Sequence, residues 1–146
     1  MNSILVYDSP DKIPRDVVED CLLLTRKGSE KQGQFKSLLA GKPISLPFML
    51  AVGSMDGEVV GWASCDIWQF MWQAQAFVQS DLRWRGIGTA LMTWLLADHP
   101  ERDKPLAVFD ITCYRIAKSA GWRDVRLYEL DDGVWLPVKM GNLTDS

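Results

Sequence analysis

The stretch from Val78 to Met92, Val-Gln-Ser-Asp-Leu-Arg-Trp-Arg-Gly-Ile-Gly-Thr-Ala-Leu-Met, constrains the fold more than any other part of the chain. It runs from the end of an apolar strand, through a short charged turn, into a helix that is apolar nearly all round. Such a helix has no polar face to give to water, so it must be buried against a sheet. Arg83, Gly86 and Gly88 form R-x-x-G-x-G where the helix begins. A helix start exposes unpaired backbone N–H groups and carries partial positive charge. Glycines let a ligand approach that backbone closely. The combination is an anion site, and phosphate is its usual occupant. A Walker-type nucleotide loop does not fit, because no Gly-Lys-Ser/Thr follows the glycines.

At 146 residues the chain suits a single domain, 1–146, with one core and a loose tail over its last few residues. A hydrophobic share of 47% beside 24% charged residues is that of a soluble globular protein. A net charge of −3 gives no basic face, so Arg83, Trp84 and Arg85 do not make a nucleic-acid patch. Cys21, Cys65 and Cys113 lie far apart, without metal or disulfide spacing, and read as small buried hydrophobes in a reducing, cytoplasmic setting. No signal peptide or membrane span is expected.

Along the chain, Ile4 to Tyr7 reads as a first strand. A helix starting between Ser9 and Pro14 carries Val17, Val18, Cys21 and Leu22 at helical spacing and ends near Gly28. Ser29 to Gln32 is a capping-box pattern opening a second helix, which stops at Gly41. Pro47–Gly53, Glu58–Trp68 and Met71–Val78 read as three antiparallel strands, joined by Asp56-Gly57 and a turn at Gln69–Phe70. The buried helix runs from the Gly86–Gly88 turn to about Asp98. Pro105–Phe109 is a strand, and Asp110 can cap a helix ending at Gly121. Val125–Leu130 and Val134–Met140 close the series. The order is β-α-α-β-β-β-α-β-α-β-β. It predicts an α/β (α+β) domain with a mixed central sheet of about six to seven strands and about four helices.

Val78 to Met92 resembles the acetyl-CoA pyrophosphate loop of the GNAT superfamily of N-acetyltransferases, and the element order is similar to that family's. The resemblance implies that backbone groups of Arg83, Trp84, Arg85, Gly86, Ile87, Gly88 and Thr89 bind the pyrophosphate, with Thr89 adding its hydroxyl. Arg83 and Arg85 would offset phosphate charge. It also implies that the pantetheine arm pairs with the backbone of Ala76 and Val78, as an added strand would. A backbone N–H near Val78 would polarise the thioester carbonyl. Direct acetyl transfer from acetyl-CoA to a primary amine, small molecule or protein, follows from the family. No metal, nucleic acid or membrane is implied, and the final strand pair would serve a homodimer.

The chain departs from the family pattern where the proton chemistry lies. A Tyr four residues before the glycine of the Gly-aromatic helix end often serves as general acid; here that position is Ala117. Tyr114, three residues earlier, is the candidate, against a plain core or surface tyrosine. An acceptor amine of pKa about 10.4 costs ~4–5 kcal/mol to deprotonate at pH 7, so a base is needed. The family's early Glu on the fourth strand is replaced by Trp72. The nearest carboxylate is Asp66, which strand alternation puts on one face with Trp62, Ser64 and Trp68. There it would suit a cation, or else be a solvent-edge residue. Trp62, Trp68 and Trp72 would be core or would line an acceptor pocket. Asp110 reads as an N-cap before a cofactor contact, and His99 as a cation at a helix C-terminus. The alternative function is a catalytically silent module of this fold, binding CoA or a protein partner.

Overall fold

A computed structural model describes residues 3–25, 30–82, 86–97 and 99–139. Seven strands form one continuous sheet in chain order: β1 (Ser3–Tyr7), β2 (Phe48–Met55), β3 (Glu58–Trp68), β4 (Met71–Val78), β5 (Leu106–Val108), β6 (Val125–Asp131) and β7 (Val134–Pro137). Strands β1 to β4 are antiparallel, β4 to β6 parallel, and β6 and β7 antiparallel again. The change of direction at β4 requires crossovers. Helices α3 (Ile87–Leu96) and α4 (Ile111–Ser119) supply them, while α1 (Arg15–Leu24) and α2 (Glu30–Leu39) lie between β1 and β2. The element order is the one the sequence predicts, and among the described residues no helix is long and apolar enough to cross a membrane.

The two sheet faces bury different sets of side chains. Leu91, Met92, Leu95 and Leu96 of α3 and Cys113, Tyr114 and Ala117 of α4 pack with Ala63, Cys65 and Ala74 on one face. Val18 and Cys21 of α1 and Phe35 of α2 pack with Leu50, Val52 and Trp62 on the other. Gly61 lets α3 seat closely: a Cβ there would lie 3.1 Å from the Phe77 carbonyl and 3.2 Å from Leu91 Cδ1.

Local differences from the sequence reading have local causes. Helix α1 begins only at Arg15 because a residue before proline avoids helical backbone. Ile13, ahead of Pro14, is extended at ψ 119°, and a separate 3₁₀ turn occupies Pro10–Lys12. Helix α1 also stops early, at Thr25. The Thr25 hydroxyl donates to the Cys21 carbonyl (2.6 Å) and accepts from Trp62 Nε1 (2.9 Å), tying the helix end to the sheet. Gly28, Ser29 and Asp98 lie outside the described residues, as does Met140, the expected end of the last strand. Both residues of the Gln69–Phe70 turn have positive φ, 47° and 65°, as a two-residue hairpin of this twist demands. That turn sets the register of β3 on β4, with Asp66 opposite Gln73 and Ser64 opposite Gln75.

Candidate functional site

Strands β4 and β5 pair only at Trp72–Leu106 and Gln73–Ala107, and then part. Strand β4 runs on to Val78, whereas the chain after β5 turns into α4 at Asp110. Backbone direction alternates along a strand. Gln79 donates its N–H to Val60 of β3 (2.8 Å), so the peptide groups of Ala74, Ala76 and Val78 point the other way, toward the gap.

On the α3–α4 side, a cavity of about 320 Å³ opens from the gap. Ala76, Val78, Gly86, Ile87, Gly88 and Thr89 line it, together with Leu82, Met92, Thr112, Cys113 and Ile116. Gly86 caps α3 at φ 77°, a left-handed conformation that glycine adopts without a steric penalty. The first intrahelical bond is from Ala90 N–H to the Gly86 carbonyl (3.0 Å). The N–H groups of Ile87, Gly88 and Thr89 therefore have no carbonyl acceptor within the helix, and these three residues line the cavity. Arg83, Trp84 and Arg85 lie outside the described residues. The neighbouring start of α4 differs, because Asp110 closes it with a carboxylate oxygen that accepts from Cys113 N–H (2.8 Å). Asp110 is thus the N-cap.

A second cavity, about 490 Å³, lies along β4 and is lined by Trp68, Gln73, Ala74, Gln75, Ala76, Phe109, Asp110 and Trp135. It shares Ala76 and Asp110 with the first, so the two meet at the gap between β4 and β5. Sequence reasoning missed Gln73, Gln75, Phe109 and Trp135 here. The two-residue turn at Gln69–Phe70 carried a usable signal, since its register sets Gln73 opposite Asp66. Nothing local announces Phe109 or Trp135.

Asp66 is neither at a solvent edge nor open to an acceptor. It is buried beneath α2 in an ion pair with Lys31 Nζ, and Gln34 Nε2 donates to the same oxygen (3.2 Å). Tyr114 lines neither cavity. On α4, Thr112, Cys113 and Ile116 line the first cavity, while Tyr114 packs into the core with Ala117 and carries Lys118 Nζ 6.0 Å above its ring. Of the three candidate tryptophans, Trp68 lines a cavity. Trp62 is core, stacked with Phe77 and edge-on to Phe35. Trp72 lies on the opposite face, its ring 4.6 Å from that of His99.

His99 is not a solvated helix-end cation. Its ring lies between Trp72 and Trp122, its Nδ1 accepts from Glu101 N–H (3.1 Å), and burial pushes its pKa down, offset in part by Glu101. All three cysteines are buried free thiols; burial raises the pKa of each, that of Cys21 to about 12. None is an activated nucleophile. Among the described residues, no group of three or more His, Cys, Asp and Glu could hold a metal ion.

The site is thus a splayed β4–β5 gap faced by a glycine-capped helix start. The model of the Acetyltransferase (GNAT) family matches residues 19–111, and the chain belongs to that family. Solved structures similar to it include an aminoglycoside 6'-N-acetyltransferase complexed with coenzyme A (16% identity, 90% of this chain, 64% of that chain, TM-score 0.49). A transcriptional regulator from Bacillus halodurans C-125 is another (14% identity, 83% and 93%, TM-score 0.51). A third is the PaiA N-acetyltransferase from Thermoplasma acidophilum in complex with coenzyme A (12% identity, 86% and 79%, TM-score 0.43). At these identities the likeness concerns the fold alone. The chain spans just under two thirds of the aminoglycoside enzyme's length. No curated protein matches.

Proposed function

We propose that this chain transfers an acetyl group from acetyl-CoA directly to a primary amine. The supporting observation is the pair of cavities that meet at Ala76 and Asp110 through the β4–β5 gap. One side offers the Ile87, Gly88 and Thr89 N–H groups to a pyrophosphate, and the β4 edge at Ala76 and Val78 to the pantetheine amides. The other side admits an acceptor to the same point. Acetyl-CoA supplies the activated thioester. The chain's part is to hold it with main-chain groups and to bring the amine within reach. The three cysteines, buried thiols with raised pKa, are not assigned as covalent carriers of the acetyl group.

The test mixes protein, acetyl-CoA and a panel of amines, and follows free CoA. Amine-dependent release that Gly86→Glu abolishes, with the thermal melt retained, supports transfer. Absence of acetyl-CoA binding would overturn the cofactor reading altogether. A second reading, a silent CoA-binding module, draws on the placement of Tyr114 in the core and of Asp66 in a closed ion pair. Tight acetyl-CoA binding without turnover on any amine is its signature.

A further inference from the structure

Resting on the acetyltransferase reading, we propose that the second cavity selects a singly charged primary amine carried on a flat aromatic body, and rejects polycations. Its walls are Trp68, Phe109 and Trp135. Phe109 meets Trp68 at 5.2 Å and Trp135 at 4.8 Å between ring centroids, both edge-on, and Tyr128 backs Trp68 at 5.0 Å. A preformed aromatic wall favours a ring over a flexible alkyl chain, because stacked and edge-on contacts add to area burial.

The charge count decides the rest. Among the described residues Asp110 is the one ionisable side chain in the lining, and it stands where the two cavities join. An ammonium drawn to Asp110 is therefore held beside the thioester's position. The other nearby carboxylate, Asp66, is already matched by Lys31. A polycation would bring several ammonium groups to one carboxylate, and each unmatched charge would lose hydration without a partner. The polar floor has one further demand. Gln73 is 1% exposed and accepts from Gln75 Nε2 (3.3 Å), while its own Nε2 has no hydrogen-bond partner among the described residues. That donor suits an oxygen on the acceptor, such as a carbonyl beside the ring.

The experiment titrates CoA-loaded protein calorimetrically with an arylalkylamine, an alkylamine of equal charge, spermidine and an aminoglycoside, and compares acetylation rates for the same set. The expected result is at least tenfold tighter binding and higher kcat/KM for the arylalkylamine than for any other. Trp135→Ala, on an exposed edge strand, should remove that preference while leaving CoA affinity unchanged. Gln73→Leu should remove only the added advantage of an arylalkylamine bearing a carbonyl. Turnover of spermidine or the aminoglycoside in preference to the arylalkylamine, or a preference untouched by Trp135→Ala, overturns the proposal and leaves acetyl transfer standing. Acetyl-CoA binding with no turnover of any amine overturns both.

Discussion

Lys31 of α2 and Asp66 of β3 pair as ions where neither reaches solvent, their side chains 0% and 4% exposed. Removing one partner strands the other's charge in the protein interior. Asp66→Asn is therefore expected to cost about 3–5 kcal/mol of stability, measured by chemical denaturation. Lys31→Met combined with Asp66→Leu removes both charges, and should recover most of that loss. A surface carboxylate would give less than about 0.5 kcal/mol for the single change, which would refute the burial.

Gly88 lines the first cavity, and among the described residues a Cβ there would meet only Val78 Cγ2, at an ordinary 3.5 Å. Gly88→Ala should thus leave the fold intact, raising helix stability by about 0.5–1 kcal/mol. The added methyl would crowd the helix-start N–H groups that the proposed function assigns to the pyrophosphate. Losing one charge-assisted hydrogen bond of about 1.5–3 kcal/mol corresponds to a roughly 10–100-fold weaker CoA Kd. Calorimetry beside a thermal melt separates the two effects; an unchanged Kd would place the pyrophosphate elsewhere.

Much of this architecture is legible locally. The return strand from Glu58 to Trp68 after the Asp56-Gly57 turn and the apolar helix after Gly86 each specify their element with neighbours alone. The order of elements follows from such signals, and so does the β4 and α3 side of the first cavity, whereas its α4 wall of Thr112, Cys113 and Ile116 comes from a distant element. What the sequence hides is made by distant partners. Asp66 reads as a lone acid because Lys31, 35 residues away, reaches it only once α2 lies across the sheet. The phase of α4 turns Cys113 to the cavity and Tyr114 to the core, and that rotation is set by packing on α3 rather than by spacing within the helix. The second cavity draws Trp68, Phe109 and Trp135 from three strands or strand ends.

Tyr114 packs against the core and lines neither cavity. Tyr114→Phe keeps the ring and removes the hydroxyl. If no proton passes through that oxygen, kcat should stay within about twofold of the parent protein and its pH profile should not move. A fall of about a hundredfold, in the range general acid catalysis supplies, would show that the hydroxyl does reach the departing thiolate.

His99 makes acid stability a measurable property of the Trp72–His99–Trp122 stack. Burial lowers its folded pKa below the ordinary value of about 6.5, and the nearby Glu101 opposes this only in part. The unfolded chain therefore takes up a proton near pH 6.5 that the folded chain resists. The stability tied to neutral His99 is fully present above pH 6.5, and is lost as pH falls from there toward the folded value. Thermal melts should show Tm dropping between pH 7 and pH 5. His99→Gln, which cannot take up the proton, should lower Tm at pH 7 through lost packing yet flatten that pH dependence. Equal slopes in the two proteins would mean that the imidazole charges freely in the fold and that the aromatic stack does not exclude water from it.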